Sequence, residues 1–198
     1  MKLALVKYNA GNLRSVLNAL HRLGVEPLLT DDPRELATAD RVLFPGQGEA
    51  STVMRTLRQS GLDSVILSLR QPVLGICVGQ QLMCRHSEEG DVDCLGIFDA
   101  PVVRFRPTDP QLKVPHMGWN SIERLSSPLF RGIDEHEYVY YIHSYYVPVT
   151  PDTIATTHYA TPFSAAMQRG NFYATQFHPE KSGDVGERIL KNFLTLDL

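Results

Sequence analysis

Short apolar runs punctuate the first part of the chain: Leu3-Ala4-Leu5-Val6, Glu26-Pro27-Leu28-Leu29, Arg41-Val42-Leu43-Phe44 and Pro72-Val73-Leu74-Gly75-Ile76. Each has strand length and is bounded by turn residues, which predicts buried strands. Between the first two, Leu13, Val16, Leu17 and Leu20 recur at helical spacing. Asn12 can cap that helix and Gly24 can end it. Asp31-Asp32-Pro33 marks a turn, with a short helix before the third strand. Strand and helix alternate, so a mostly parallel sheet covered by helices on both faces is expected.

The second half has a different rhythm. Strand-like runs follow one another at 101–105, 118–123, 138–143, 153–157 and 163–168, and Arg169-Gly170-Asn171 reads as a hairpin turn into Tyr173-Ala174-Thr175-Gln176-Phe177. Extra antiparallel strands are therefore expected here. The chain closes on a helix with Val185, Ile189, Leu190, Phe193 and Leu194 on one face. No repeat, linker or low-complexity tract interrupts the pattern, and residues 1–198 are read as a single α/β domain with an open sheet.

Composition narrows the function classes. The net charge of −3, with both signs interspersed, offers no basic stripe for nucleic acid. The three cysteines form no C-x-x-C pair, no apolar secretory start is visible, and no apolar run approaches the ~20 residues that span a bilayer. A cytoplasmic location is expected. The seven histidines show no metal-ligand spacing with the cysteines, and no cofactor is implied.

The candidate chemistry sits in Gly75-Ile76-Cys77-Val78-Gly79. A cysteine between glycines, after a strand and before a predicted helix over 79–86, is presented on a tight turn as a nucleophile would be. The first N–H groups of that helix could hold a developing oxyanion. Alone, the motif fits a small buried cysteine equally well. Further on, His178 follows a strand in Phe177-His178-Pro179-Glu180. Loops at the carboxyl ends of parallel strands gather on one edge, so the two motifs can meet. Glu180 can then orient His178, leaving the other ring nitrogen to take the thiol proton. Cys84, two helical turns beyond Cys77, reads as core, and His143 is a second possible base.

With these blocks in order, the chain resembles the class I glutamine amidotransferases. The resemblance is carried by Tyr8 to Val16, Phe44-Pro45-Gly46-Gln47-Gly48, the elbow, Pro115-His116-Met117-Gly118-Trp119-Asn120, His143-Ser144-Tyr145-Tyr146 and Phe177 to Ser182. It implies a flavodoxin-like open sheet, and a glutaminase with Cys77, His178 and Glu180 as its catalytic set. It further implies an oxyanion hole at Val78 and Gly48, and substrate contacts from Gln81 and the Ser144-Tyr145 backbone. The implied partner is a cyclase with a (β/α)8 barrel, faced by Asn12, Trp119 and Lys181, to which ammonia is delivered. Three other readings stay open on sequence: an amidotransferase serving another synthase, a free-standing cysteine hydrolase, and a binding module with an idle cysteine.

Overall fold

The computed structural model describes residues 1–8 and 13–196. Thirteen strands and six α-helices follow in chain order among them. The first half runs β1 (Leu3–Val6), α1 (Arg14–Arg22), β2 (Leu28–Thr30), α2 (Pro33–Ala37), β3 (Arg41–Phe44), α3 (Ala50–Ser60), α4 (Leu62–Ser68), β4 (Val73–Ile76) and α5 (Val78–Leu82). Eight strands come next: β5 (His86–Ser87), β6 (Val92–Asp93), β7 (Pro101–Arg104), β8 (His116–Ser121), β9 (Tyr138–His143), β10 (Tyr145–Tyr146), β11 (Thr153–Tyr159) and β12 (Thr161–Arg169). Strand β13 (Phe172–Thr175) and helix α6 (Gly183–Leu194) close the chain.

The main sheet has seven strands in the order β11-β12-β13-β4-β3-β1-β2. Strands β2, β1, β3, β4 and β13 are mutually parallel, and β12 and β11 add antiparallel strands at one side. Side chains alternate across this sheet and both faces are covered, which is why the central strands are apolar throughout. Leu3, Leu5, Leu43, Leu74 and Ile76 pack with α1 and α6 through Val16, Leu20, Ile189 and Phe193. Ala4, Val6, Val42, Phe44 and Val73 face Leu36, Met54, Leu57 and Ile66 of α2, α3 and α4.

Two helices without a sequence expectation, α3 and α4, have local causes. The Glu49 carboxylate accepts from the Ser51 and Thr52 backbone N–H groups at 3.1 and 2.9 Å and so caps α3. Gly61, at φ +73°, ends it in the left-handed conformation and starts α4. The elbow helix is shorter than predicted. The carbonyls of Leu82, Met83 and Cys84 accept from Leu95, Phe98 and Gly96, so the chain that would extend α5 is tied to the segment after it, and His86 pairs in β5 instead. The expected turn at Gly170-Asn171 is present, with Arg169 paired to Phe172. Strand β8 begins two residues before its expected start, because His116 pairs with His143 across the β8–β9 hairpin. The proposed cap Asn12 lies outside the described residues.

A candidate active site at the carboxyl ends of three neighbouring strands

Strands β3, β4 and β13 are adjacent and parallel, with Phe44 beside Gly75 and Ile76 beside Thr175. Their carboxyl ends therefore release the Pro45–Gly48 loop, Cys77 and the segment to His178 side by side. A cavity of about 490 Å³ opens there, lined by Gly46, Gly48, Cys77, Gln81, Tyr145 and His178, with Val78, Ser144 and Lys181 also on its wall.

Cys77 itself has φ +55° and ψ −109°. A non-glycine residue in this region carries about 1–3 kcal/mol of backbone strain. The Cys77 backbone N–H is fastened to the Thr175 carbonyl at 2.7 Å, and α5 starts at Val78, whose N–H belongs to the first turn and has no intrahelical acceptor. Gly46 lies directly beneath: a Cβ there would stand 2.0 Å from the Gly79 nitrogen and 2.5 Å from that of Val78. Gly48, at φ +115°, occupies a conformation that favours glycine.

His178 and Glu180 are both nearly inaccessible, with side chains 5% and 1% exposed. His178 Nδ1 and Glu180 Oε1 are 2.7 Å apart, which fixes the ring and leaves Nε2 for the sulfur. That Nε2 atom is buried and has no hydrogen-bond partner of normal geometry, and neither has Glu180 Oε2. Burial by itself depresses the imidazole. The charge of the adjacent Cys77 sulfur and its contact with Glu180 outweigh burial and hold His178 up to about 10.

The other candidate base is placed differently. His143 Nδ1 is 2.7 Å from the Tyr145 carbonyl, its Nε2 is 3.0 Å from His116 Nδ1, and His116 Nε2 is 3.3 Å from Asn120 Nδ2. A carbonyl at one end and an amide nitrogen at the other admit one proton order through two neutral rings, each donating from Nδ1. Burial is the main cause that pushes His143 down to about 3 and His116 to about 4.

The substrate-contact residues have also divided their hydrogen-bonding capacity. Gln81 Nε2 donates to the Tyr145 carbonyl and to Gln176 Oε1, both at 3.0 Å. Its Oε1 is left as the free end of an amide that lines the cavity. The Tyr145 carbonyl is taken by Gln81 and His143, and the Ser144 carbonyl by the Phe105 N–H at 3.0 Å. This segment can therefore meet a ligand through N–H and hydroxyl donors.

Two contributors were not anticipated. Gln176 Nε2 lies 3.7 Å from Cys77 Sγ. Its only signal in the sequence is its place two residues before His178. The Tyr8 hydroxyl donates to the Pro45 carbonyl and accepts from the Gln47 backbone N–H, bracketing the loop beside Cys77. Cys84 is fully buried and its thiol is pushed well up, as a core position requires.

A family model described as "Glutamine amidotransferase class-I" matches residues 5–196. The chain belongs to the class I glutamine amidotransferases. A relative in Bacteroides fragilis (strain YCH46), named imidazole glycerol phosphate synthase subunit HisH, is 63% identical over 196 residues, covering 99% of this chain and 100% of the relative. The relative of that name in Escherichia coli (strain K12) is 45% identical over 198 residues, with 99% and 100% covered. Among solved structures, a glutamine amidotransferase from Thermotoga maritima superposes with a TM-score of 0.64 at 17% identity, over 98% of this chain and 82% of that one. That likeness concerns the fold, a mostly parallel sheet with added antiparallel strands.

Proposed function

We propose that this chain is the glutaminase subunit of imidazole glycerol phosphate synthase in histidine biosynthesis, working in the cytoplasm. The observation that carries the reading is the buried Cys77, His178 and Glu180 set opening into one cavity with Gln81, Ser144 and Tyr145. Family membership and the full-length relatives support the same reading. Glutamine enters with its α-amino group on Gln81 Oε1, the acceptor that the Tyr145 carbonyl and Gln176 leave free. Its α-carboxylate meets the donors of Ser144 and Tyr145.

The Cys77 sulfur attacks the γ-amide carbon, and the resulting oxyanion is held by the Val78 N–H and a backbone N–H of the Gly46–Gly48 loop. His178, oriented by Glu180, passes a proton to the leaving nitrogen, ammonia departs and a γ-glutamyl thioester remains. Water gives its proton to His178 and attacks the thioester, releasing glutamate and the thiolate. Loss of one oxyanion donor costs ~100-fold or more in rate. The bond between the Gln47 N–H and Tyr8 supports a gated hole, in which a peptide of the loop turns toward Cys77 when the partner is loaded.

The partner is a (β/α)8-barrel cyclase, which uses the ammonia to make imidazole glycerol phosphate and aminoimidazole carboxamide ribonucleotide. Trp119, 56% exposed, shares one face of the β8–β9 hairpin with Met117, Tyr138 and Ile142, all exposed, beside the mouth of the cavity. This face and Lys181 form the docking surface. Asn12, assigned to the same surface, lies outside the described residues.

Glutamate release from glutamine tests the reading, measured for the chain alone, with the cyclase carrying its ribonucleotide, and with Cys77→Ala. Weak activity alone, strong stimulation in the complex and none in the variant are expected. Full activity alone would instead identify an independent hydrolase.

A further inference from the structure

Gln176 is completely buried just past the end of β13, with its backbone N–H donated to the Ala165 carbonyl at 2.8 Å. Its side chain bridges two groups of the cavity: Oε1 accepts from Gln81 Nε2 at 3.0 Å, and Nε2 lies 3.7 Å from Cys77 Sγ. The orientation of this amide is dictated by its neighbours. Gln81 Nε2 also donates to the Tyr145 carbonyl, which can only accept. Gln81 must therefore show N–H to Gln176, Gln176 must answer with oxygen, and its own N–H groups are left to the sulfur.

We infer that Gln176 is a positioning residue for the nucleophile, donating a hydrogen bond to the Cys77 sulfur while its other end is anchored on Gln81. This rests on the glutaminase reading of the same site. A donor aimed at sulfur favours thiolate over thiol. An amide also exchanges no proton at neutral pH, so it orients the sulfur without competing with His178. The link to Gln81 makes the placement of the sulfur depend on the amide that receives the substrate's amino-acid end.

The test is the pH dependence of Cys77 alkylation by iodoacetamide in the intact chain, read on the Cys77 peptide by mass spectrometry so that Cys84 and Cys94 are counted apart. The unsubstituted protein is compared with Gln176→Met, which removes the donor at similar volume, and Gln176→Glu, which replaces it with a carboxylate. The titratable groups near the sulfur, namely Tyr8, His178, and across the cavity His143, Lys181 and Glu89, are the same in all three.

Half-maximal labelling is expected to move up by about one pH unit in Gln176→Met and further in Gln176→Glu, about tenfold slower labelling at pH 7. The kcat for glutamine should fall more than KM rises. A folded variant with an unchanged labelling profile overturns the inference. Should neither variant fold, the side-chain amide resonance of Gln176 in the unsubstituted, 15N-glutamine-labelled protein decides: it must move with the titration and alkylation of Cys77, and a stationary signal overturns the inference. Labelling needs neither glutamine nor cyclase. A shifted profile without Cys77-dependent glutamate release would retire the glutaminase reading alone, whereas normal release with an unchanged profile would retire the role of Gln176 alone.

Discussion

Glu180 is the residue on which the site's electrostatics turn. One carboxylate oxygen meets His178 Nδ1 while the other is buried without a partner, an arrangement that is costly unless the adjacent imidazole carries a compensating charge. Glu180→Gln keeps an acceptor for Nδ1–H but removes that charge. It is expected to leave the fold intact, to let the titration of His178 fall, and to cost about 10²- to 10⁴-fold in glutaminase rate, as for other triads that lose their orienting carboxylate. Nuclear magnetic resonance of the His178 ring together with cyclase-stimulated glutamate release checks this. Unchanged activity would remove Glu180 from the catalytic set. His143, by contrast, is committed to Tyr145 and His116, so its position near the cavity gives it no free base nitrogen.

At the scale of elements, two glycines of one loop do different work. A methyl at Gly46 would meet the backbone of the elbow at 2.0 to 2.5 Å. Gly46→Ala should therefore lose more than ~3 kcal/mol or fail to fold, since neither β3 nor α5 can move aside in a close-packed core. At Gly48 the added carbon would lie 3.2 Å from a flexible Val53 methyl, and the strain is that of φ +115°. Gly48→Ala should cost about 1–2 kcal/mol and impair cyclase-stimulated glutaminase far more than folding. Thermal melts beside stimulated assays separate the two, and equal losses of stability and activity at Gly48 would count against a moving loop. The β8–β9 hairpin makes the opposite kind of statement. Its Trp119 is stacked edge-on against Tyr140, with ring centroids 6.0 Å apart, yet remains exposed. Trp119→Ala should change stability by less than ~0.5 kcal/mol, and weaken cyclase binding by about 2 kcal/mol, roughly 30-fold, as an aromatic anchor does. Unaltered affinity in a calorimetric titration would refute the docking face.

For the whole molecule, the buried histidines set a stability optimum. His116 and His143 are held neutral, far below their ordinary value. The unfolded chain binds more protons than the folded one as pH drops below about 6.5, so stability is lost on the acid side. His178 is held above its ordinary value. The stability it adds is complete below about 6.5 and declines as pH rises toward 10. Melting temperature should therefore peak near pH 6.5. Cys84 and Cys94, whose thiols burial pushes up, add to the alkaline loss only when unfolded thiols ionise, near pH 8.5. Melts between pH 5 and 8 keep the thiols out and leave the histidines with one carboxyl, that of Glu89, which burial pushes up and whose added stability declines as pH rises. Cys77→Ala should flatten the limb from 6.5 to 8 and leave the acid limb in place, and a profile without a maximum would contradict the charge states assigned to these rings.

Much of this was legible before folding, for particular reasons. Buried parallel strands must be apolar on both faces, so Leu3–Val6 and Arg41–Phe44 announced themselves, and the glycine-flanked cysteine with a later His-Pro-Glu named a chemistry. Helix α5 could not be bounded, because its end is set by carbonyls that accept from backbone N–H groups of the 95–98 segment, a tertiary fact. Gln176 and Tyr8 look in sequence like any polar residues beside a strand. Only the packing of β4 against β13 puts the one against the sulfur, and only that of β1 against β3 brings the other to the loop. The residue types and their order determined the parallel sheet and the candidate nucleophile, base and orienting carboxylate that it could host. The geometry of the site depended on three strand ends meeting, because directed hydrogen bonds between residues as distant as Cys77 and Gln176 exist only once the sheet has formed.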